Sequence, residues 1–239
     1  MKLHPIPSTL PVAAAAALLL LFTGGETTEA GPFKKSAAEL DAKIEVARAR
    51  LTEFQANPRK AIPSVVLKNA KGIIIMHKIK AGLGIGAEAG GGVALIRDPK
   101  GNWSPPAFVA AAEASWGLQI GAQDADIIMV FMTNESLEFF REGKDANVGI
   151  EAQATAGPAD IGAELDTDDL EAPVYVYTNA DGGFAGLALK GGGIVGAKKK
   201  NNTYYGMAMP DVLFSGRAPI SKTSGRLIAT IEAFAKGVR

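Results

Sequence analysis

No cysteine occurs anywhere in this chain of 239 residues, and only two histidines do, His4 and His77. The first absence removes disulfides, thiolate metal centres and thiol redox chemistry together, and it excludes a lipid anchored through an N-terminal cysteine. An excess of charge of either sign is missing too. Lysine plus arginine number 25 and aspartate plus glutamate 25, so no overall field steers the chain toward nucleic acid or a strongly acidic partner.

Signatures of chemistry are likewise lacking. There is no G-x-S-x-G elbow, S-x-x-K or H-E-x-x-H. His77, beside Lys78, has no partner histidine at metal-ligand spacing, His4 lying more than seventy residues away in the N-terminal segment. The glycine run from Ala81 to Gly92 lacks the lysine and serine or threonine of a phosphate loop, and its spacing is not that of a dinucleotide site. Asp166-Thr167-Asp168-Asp169 lacks the glycine turn and distal glutamate of a calcium loop, so a solvated acidic loop is expected there. Asp124 and Asp126 could run paired acid and base steps, but capping a turn at a strand end explains them better. The expectation is a protein that is not an enzyme, with no cofactor and no metal.

What is present begins with an N-terminal segment distinct from the rest. Lys2 and His4 precede an apolar run from Leu10 to Phe22, and a polar stretch then ends at Thr28-Glu29-Ala30. The run is short for a bilayer span, and the pattern is that of a secretory signal. Residues 1–30 are expected to be removed after Ala30, with Gly25 the alternative site and a retained anchor the competing outcome. Residues 31–239 then hold 24 basic and 23 acidic side chains, a charge of +1. The implied location is periplasmic or secreted. The whole chain is 47% hydrophobic and 21% charged, enough for one domain with a sizeable core.

Ser36-Ala37-Ala38-Glu39 fits a capping box, and Leu40, Ile44, Ala47, Leu51 and Phe54 follow at helical spacing, up to the stop at Asn57-Pro58. Lys43 and Arg50 lie on one flank of this stripe, Asp41, Glu45 and Arg48 on the other. Lys34, Lys35, Lys43, Arg50, Arg59 and Lys60 make a basic rim. Two outcomes stay open: the stripe packs on the body with its charges in water, or the rim also meets an anionic bilayer, each cation contributing about 1 kcal/mol.

Ser64 to Leu67 should form a short helix. Ile73–Met76, Val93–Ile96 and Ile127–Met132 read as buried strands, with a hairpin turn at Asp98-Pro99-Lys100-Gly101-Asn102. Glycine-rich strands recur about every 35 residues, at Gly82-Leu83-Gly84-Ile85, Gly117-Leu118-Gln119-Ile120, Gly149-Ile150-Glu151-Ala152 and Gly186-Leu187-Ala188-Leu189. Similar strands with small faces suggest a strongly bent sheet. Tyr175 and Tyr177 share a strand face. Asn134 should cap a helix running to Arg141, and Lys198-Lys199-Lys200 with Asn201-Asn202 reads as an exposed hairpin tip, with a phosphate contact as the secondary role. Ser221 to Val238 closes the chain as a helix with Leu227, Ile228, Ile231 and Phe234 buried. The fold expected is α+β: a single domain, a curved and mostly antiparallel glycine-rich sheet or flattened barrel, with N- and C-terminal helices.

Trp116-Gly117-Leu118-Gln119-Ile120-Gly121-Ala122-Gln123 resembles the central signature of the SYLF-domain family, a lipid-binding module. The similarity extends in family order through Gly90-Gly91-Gly92-Val93-Ala94, Trp103-Ser104-Pro105-Pro106-Ala107-Phe108, Ala172-Pro173-Val174-Tyr175-Val176-Tyr177 and Asn202-Thr203-Tyr204-Tyr205-Gly206. It implies that residues 31–239 are a SYLF-like domain binding acidic phospholipid headgroups at a membrane surface. The candidates it points to are Lys34, Lys35, Lys43, Arg50, Arg59, Lys60 and Lys68. Trp116, Tyr175 and Phe184 are expected in the core, with an acyl-chain pocket as their other role. The expected export signal sets the chain apart from eukaryotic relatives, so their actin and endosomal roles are not carried over. A soluble carrier of a lipid or small apolar ligand, and a structural or interaction protein of the cell envelope, remain the alternatives. No nucleic-acid partner is expected, and protein partners are unspecified.

Overall fold

Two strands of 25 residues dominate the chain, β1 (Gly72–Ile96) and β2 (Ala107–Phe131). They are seen in a computed structural model that describes residues 37–142, 154–158, 170–179 and 194–238, with backbone alone for 80–88, 112–123, 142 and 154. The two pair antiparallel from Gly72↔Phe131 to Ala94↔Ala107, with one irregularity between Leu83 and Ile85 where β2 takes the longer path. β4 (Val174–Thr178) adds antiparallel along Ile127–Phe131, and β3 (Ala154–Ala156) lies parallel outside it. β5 (Ile194–Gly196) pairs antiparallel with Val109–Ala111 of β2. Among the described residues the sheet order is β1-β2-β4-β3, with β5 also on β2.

Fully extended, strands of this length would run about 80 Å. Instead the ends of β1 lie side by side. Arg97 N–H donates to Lys71 O at 2.7 Å, and Lys71 N–H donates to Phe131 O at 2.7 Å. A Cβ placed on Gly92 would stand 2.1 Å from Ile75 O, and one on Gly90 2.8 Å from His77 O. The sheet therefore curls, and glycine is what lets one half of β1 approach the other.

Helices cover both faces. On one, α1 (Ala37–Ala56), α2 (Ser64–Asn69) and a C-terminal helix over Lys222–Ala235 bury Leu40, Ile44, Leu51, Val66, Leu227 and Ile231 against Ile73, Ile75, Val93, Leu95, Ile128 and Val130. On the other, a 3-10 turn (Glu135–Leu137) leading into α3 (Glu138–Glu142) brings Leu137 and Phe140 onto Ile74, Met76, Ile127, Met129 and Phe131. The alternation of 73, 75 with 74, 76 is the strand period made visible. α4 (Lys198–Tyr205) and α5 (Met209–Phe214) complete the described elements before the last helix, α6. This is the expected α+β domain with a curved sheet and helices at either end of the sequence.

Several local expectations are corrected. Asp124 and Asp126 do not mark a turn: both lie inside β2, whose pairing with β1 runs through them as Ile79↔Asp124 and His77↔Asp126. Ile73–Met76 and Val93–Ile96 are the two ends of one strand rather than two strands. Lys198 to Asn202 is no hairpin tip but the body of α4, although Asn201, Asn202 and Thr203 are weak helix formers. The buried Asn201 side chain drives it, because its Oδ1 accepts from Phe108 N–H at 2.7 Å while its Nδ2 donates to Phe108 O at 2.8 Å. Gly206, with φ of 67°, ends the helix in the left-handed conformation. The cap assigned to Asn134 is made by its neighbour, Thr133 Oγ1 accepting from Ser136 N–H at 3.2 Å. Two of the recurring glycine strands, at Gly82 and Gly117, fall in β1 and β2. Those at Gly149 and Gly186, the Asp166 loop, the Ser36 cap and segment 1–30 lie outside the described residues.

Candidate functional site

α1 crosses the curled sheet so that one of its faces, Lys43, Val46, Ala47 and Arg50, lies over the glycine-rich end of β1. These positions follow the i, i+3, i+4, i+7 spacing of one helical face. Between them and Ala89–Gly92 opens a groove of about 410 Å³, closed at its sides by Ile79, His77 and Lys200 of α4. Gly91 forms part of its floor, and a Cβ there would stand 3.6 Å from Lys200 Nζ. Four large apolar side chains are exposed among the described residues, and two of them, Val46 at 49% and Ile79 at 52%, line this groove. Cations and exposed aliphatic carbons thus share one wall.

Lys43 is exposed and, among the described residues, forms no ion pair. Arg50 differs. Its guanidinium is paired with Asp126 Oδ1 and lies 2.8 Å from His77 Nδ1. Asp126 is in turn held by Asn179, whose Nδ2 donates to Oδ2 at 3.1 Å and whose Oδ1 accepts Asp126 N–H at 2.8 Å. Lys60 Nζ donates to Asn179 O at 2.6 Å. His77 is held below the ordinary imidazole pKa, first by burial and then by the Arg50 charge, with Asp124 opposing.

The expected lipid contacts therefore separate. Lys43 and Arg50 share the groove, but the Arg50 charge is already matched by a carboxylate. Lys60 belongs to a second depression of about 550 Å³ lined also by Glu53 and Asp126, which is less suited to an anion. Arg59 is exposed beyond the end of α1. Lys68 lies on α2, where its carbonyl accepts from Arg97 Nη1 at 2.9 Å. Tyr175 is buried in the core, and its hydroxyl accepts from Ala172 N–H at 3.3 Å. Lys34, Lys35, Phe184 and the side chain of Trp116 lie outside the described residues. The sequence offers Lys200 only as a secondary phosphate contact within the unbroken run Lys198-Lys199-Lys200, and His77 only as a lone imidazole; the fold brings both to the groove.

Residues 112–234 match the family model Ysc84, described as Las17-binding protein actin regulator. The chain belongs to this family. The matched segment contains the Trp116–Gln123 signature, so the SYLF resemblance and the Ysc84 match overlap there. Among Ysc84 relatives, SH3 domain-containing YSC84-like protein 1 of Xenopus laevis is 32% identical over 152 residues, 62% of this chain and 45% of its own length. Protein YSC84 of Saccharomyces cerevisiae is 30% identical over 179 residues, 73% and 38% respectively. The human SH3 domain-containing YSC84-like protein 1 is 30% identical over 205 residues, 84% and 59%. The Ysc84-family chain spans about half the length of the curated relatives it matches. No helix among its described residues is long and apolar enough to cross a membrane.

Proposed function

We propose that this Ysc84-family domain binds acidic phospholipids at a membrane surface, without catalysis, and that its groove between α1 and the end of β1 is the contact. The supporting observation is the juxtaposition of Lys43 and Lys200 with the exposed Val46 and Ile79. Lysines meet lipid phosphates while the two aliphatic side chains enter the headgroup boundary, the combination a peripheral membrane site needs. Arg59, Lys60 and Lys68 add long-range attraction, and Lys34 and Lys35, which precede α1 in the sequence, bring two further cations to the proposal. The secretory pattern read in the sequence of residues 1–30 supports a periplasmic or secreted location for this activity. The names of the relatives favour a second reading, in which the same surface docks a protein.

Co-sedimentation with vesicles separates these. Phosphatidylglycerol vesicles should retain the chain, phosphatidylcholine vesicles should not, and retention should fall with salt. Lys43→Glu should weaken binding about thirtyfold, since each cation at an anionic surface contributes about 1 kcal/mol and reversal removes roughly two such terms. Retention indifferent to both lipid charge and salt would remove the proposal and favour a protein partner.

A further inference from the structure

Three consecutive glycines, Gly90, Gly91 and Gly92, lie in β1 beneath α1, and the fold accounts for only two of them. A Cβ on Gly90 would stand 2.8 Å from His77 O, and one on Gly92 2.1 Å from Ile75 O, so main chain excludes a side chain at both. Strand alternation turns Gly91 to the other face, into the groove. A Cβ there would meet only Lys200 Nζ at 3.6 Å and Val109 O at 3.7 Å, ordinary contact distances. Its φ lies outside the left-handed region as well. Neither packing nor backbone conformation requires glycine at 91. What the missing side chain leaves is the open floor of the groove, within reach of the Lys200 ammonium.

We propose that Gly91 is the floor of a seat for one glycerophosphate headgroup, its phosphate between Lys43 and Lys200 and its uncharged polyol resting on the glycine. This rests on the groove being the lipid site, and makes binding there one-to-one and selective by shape rather than diffuse.

Size, charge and rigidity fit the groove to that ligand. At about 410 Å³ it is near the lower end of the roughly 300–1,000 Å³ of small-ligand sites, with room for a headgroup but not for two acyl chains. Lysines and Arg50 line it and, among the described residues, no carboxylate does, which favours phosphate over the cationic ends of choline and ethanolamine. Asp126 already matches Arg50, so the phosphate falls to the two lysines. Lys200 is positioned by its neighbour, because the buried Asn201 clamps α4 to both main-chain groups of Phe108.

The test follows binding of the full chain to phosphatidylglycerol vesicles at fixed ionic strength, with glycerol 1-phosphate or inorganic phosphate as soluble competitor. Glycerol 1-phosphate should displace the vesicles and shift the Gly91 amide resonance saturably, with one site per chain. Inorganic phosphate should need about tenfold higher concentration, having no polyol contacts to contribute. Gly91→Val keeps every charge and suits a strand, and it should melt like the parent. It should lose about tenfold in vesicle binding by filling the seat, and Gly91→Ala about threefold. Salt-sensitive vesicle binding that is equal in the parent and both variants, and that glycerol 1-phosphate does not reduce, would overturn the seat while leaving the lipid surface standing. Inorganic phosphate competing as well as glycerol 1-phosphate would overturn the place of the polyol on Gly91. Binding to no vesicle would overturn both the seat and the lipid site. Should Gly91→Val not fold, Gly91→Ala and the amide shift decide.

Discussion

Gly92 and Ile75, on opposite halves of the same strand, lie in backbone contact: a Cβ on Gly92 would stand 2.1 Å from the Ile75 carbonyl oxygen and 2.6 Å from the Met76 Cα. The neighbours are main chain and cannot step aside. Gly92→Ala is expected to destabilise by about 3 kcal/mol, the upper end of ordinary overpacking, and to lower Tm by roughly 10 °C. Gly91→Ala is the control, because its Cβ would meet nothing closer than 3.6 Å. Equal melting temperatures for the two variants would show that β1 does not double back as described.

Asn201 stands in for a missing strand beside Phe108. Ala197 N–H also donates to Phe108 O, at 2.9 Å, so loss of the Asn201 side chain strands chiefly the Phe108 N–H. Asn201→Ala should cost about 2 kcal/mol in denaturant unfolding, the penalty of one buried unsatisfied donor and a lost bond. Asn201→Asp should cost as much or more, since a carboxylate brings charge to a fully buried site and donates nothing back. A neutral Asn201→Ala would mean that the end of β2 is satisfied in some other way.

Glu232 of α6 joins the turn after β1 to the C-terminal helix. Its Oε1 accepts from Trp103 Nε1 at 2.9 Å and from Arg97 Nη2 at 3.0 Å, and the Arg97 guanidinium lies 4.6 Å over the Trp103 ring. Glu232→Ala should cost about 2 kcal/mol by leaving both donors without their acceptor. Trp103→Phe should then cost less in the Glu232→Ala background than in the parent. A double-mutant cycle that closes within about 0.3 kcal/mol would deny the coupling.

The low His77 pKa sets the direction of a pH effect on stability. In the unfolded chain the imidazole binds a proton at its ordinary value near 6.5, in the folded chain only at lower pH. Between those values the unfolded state holds more protons, so stability falls as pH drops through 6.5 and the loss is complete below the folded pKa. Thermal melts from pH 7.5 to 5 should show this decline, and His77→Gln should flatten it. A parent curve level across that window would contradict the burial of the ring.

Much of the fold was legible locally. The stripe Leu40, Ile44, Ala47, Leu51, Phe54 is buried as its spacing requires, and Asn57-Pro58 follows the last helical residue, Ala56. The Asp98–Asn102 turn is present, with Asp98 Oδ1 accepting from Lys100 and Asn102 N–H at 2.8 Å each. Failures came where a residue's partner is distant in sequence. Asp124 and Asp126 look like turn residues beside an apolar run, yet β1 supplies a full partner strand and carries them through the sheet. Lys198 to Tyr205 has poor helical propensity, and the bonds from Asn201 to Phe108 outweigh it.

The same division holds for the site. Periodicity and turn chemistry alone determined that α1 would carry a buried stripe with Lys43 and Arg50 on one flank, and the Trp116–Gln123 signature alone marked the family, because these depend on neighbours within a few residues. Only the tertiary structure decided that Lys43, Gly91 and Lys200 share one groove and that Asp126 neutralises Arg50. Both follow from β1 doubling back under α1, a closure set by packing between distant segments that no local pattern encodes.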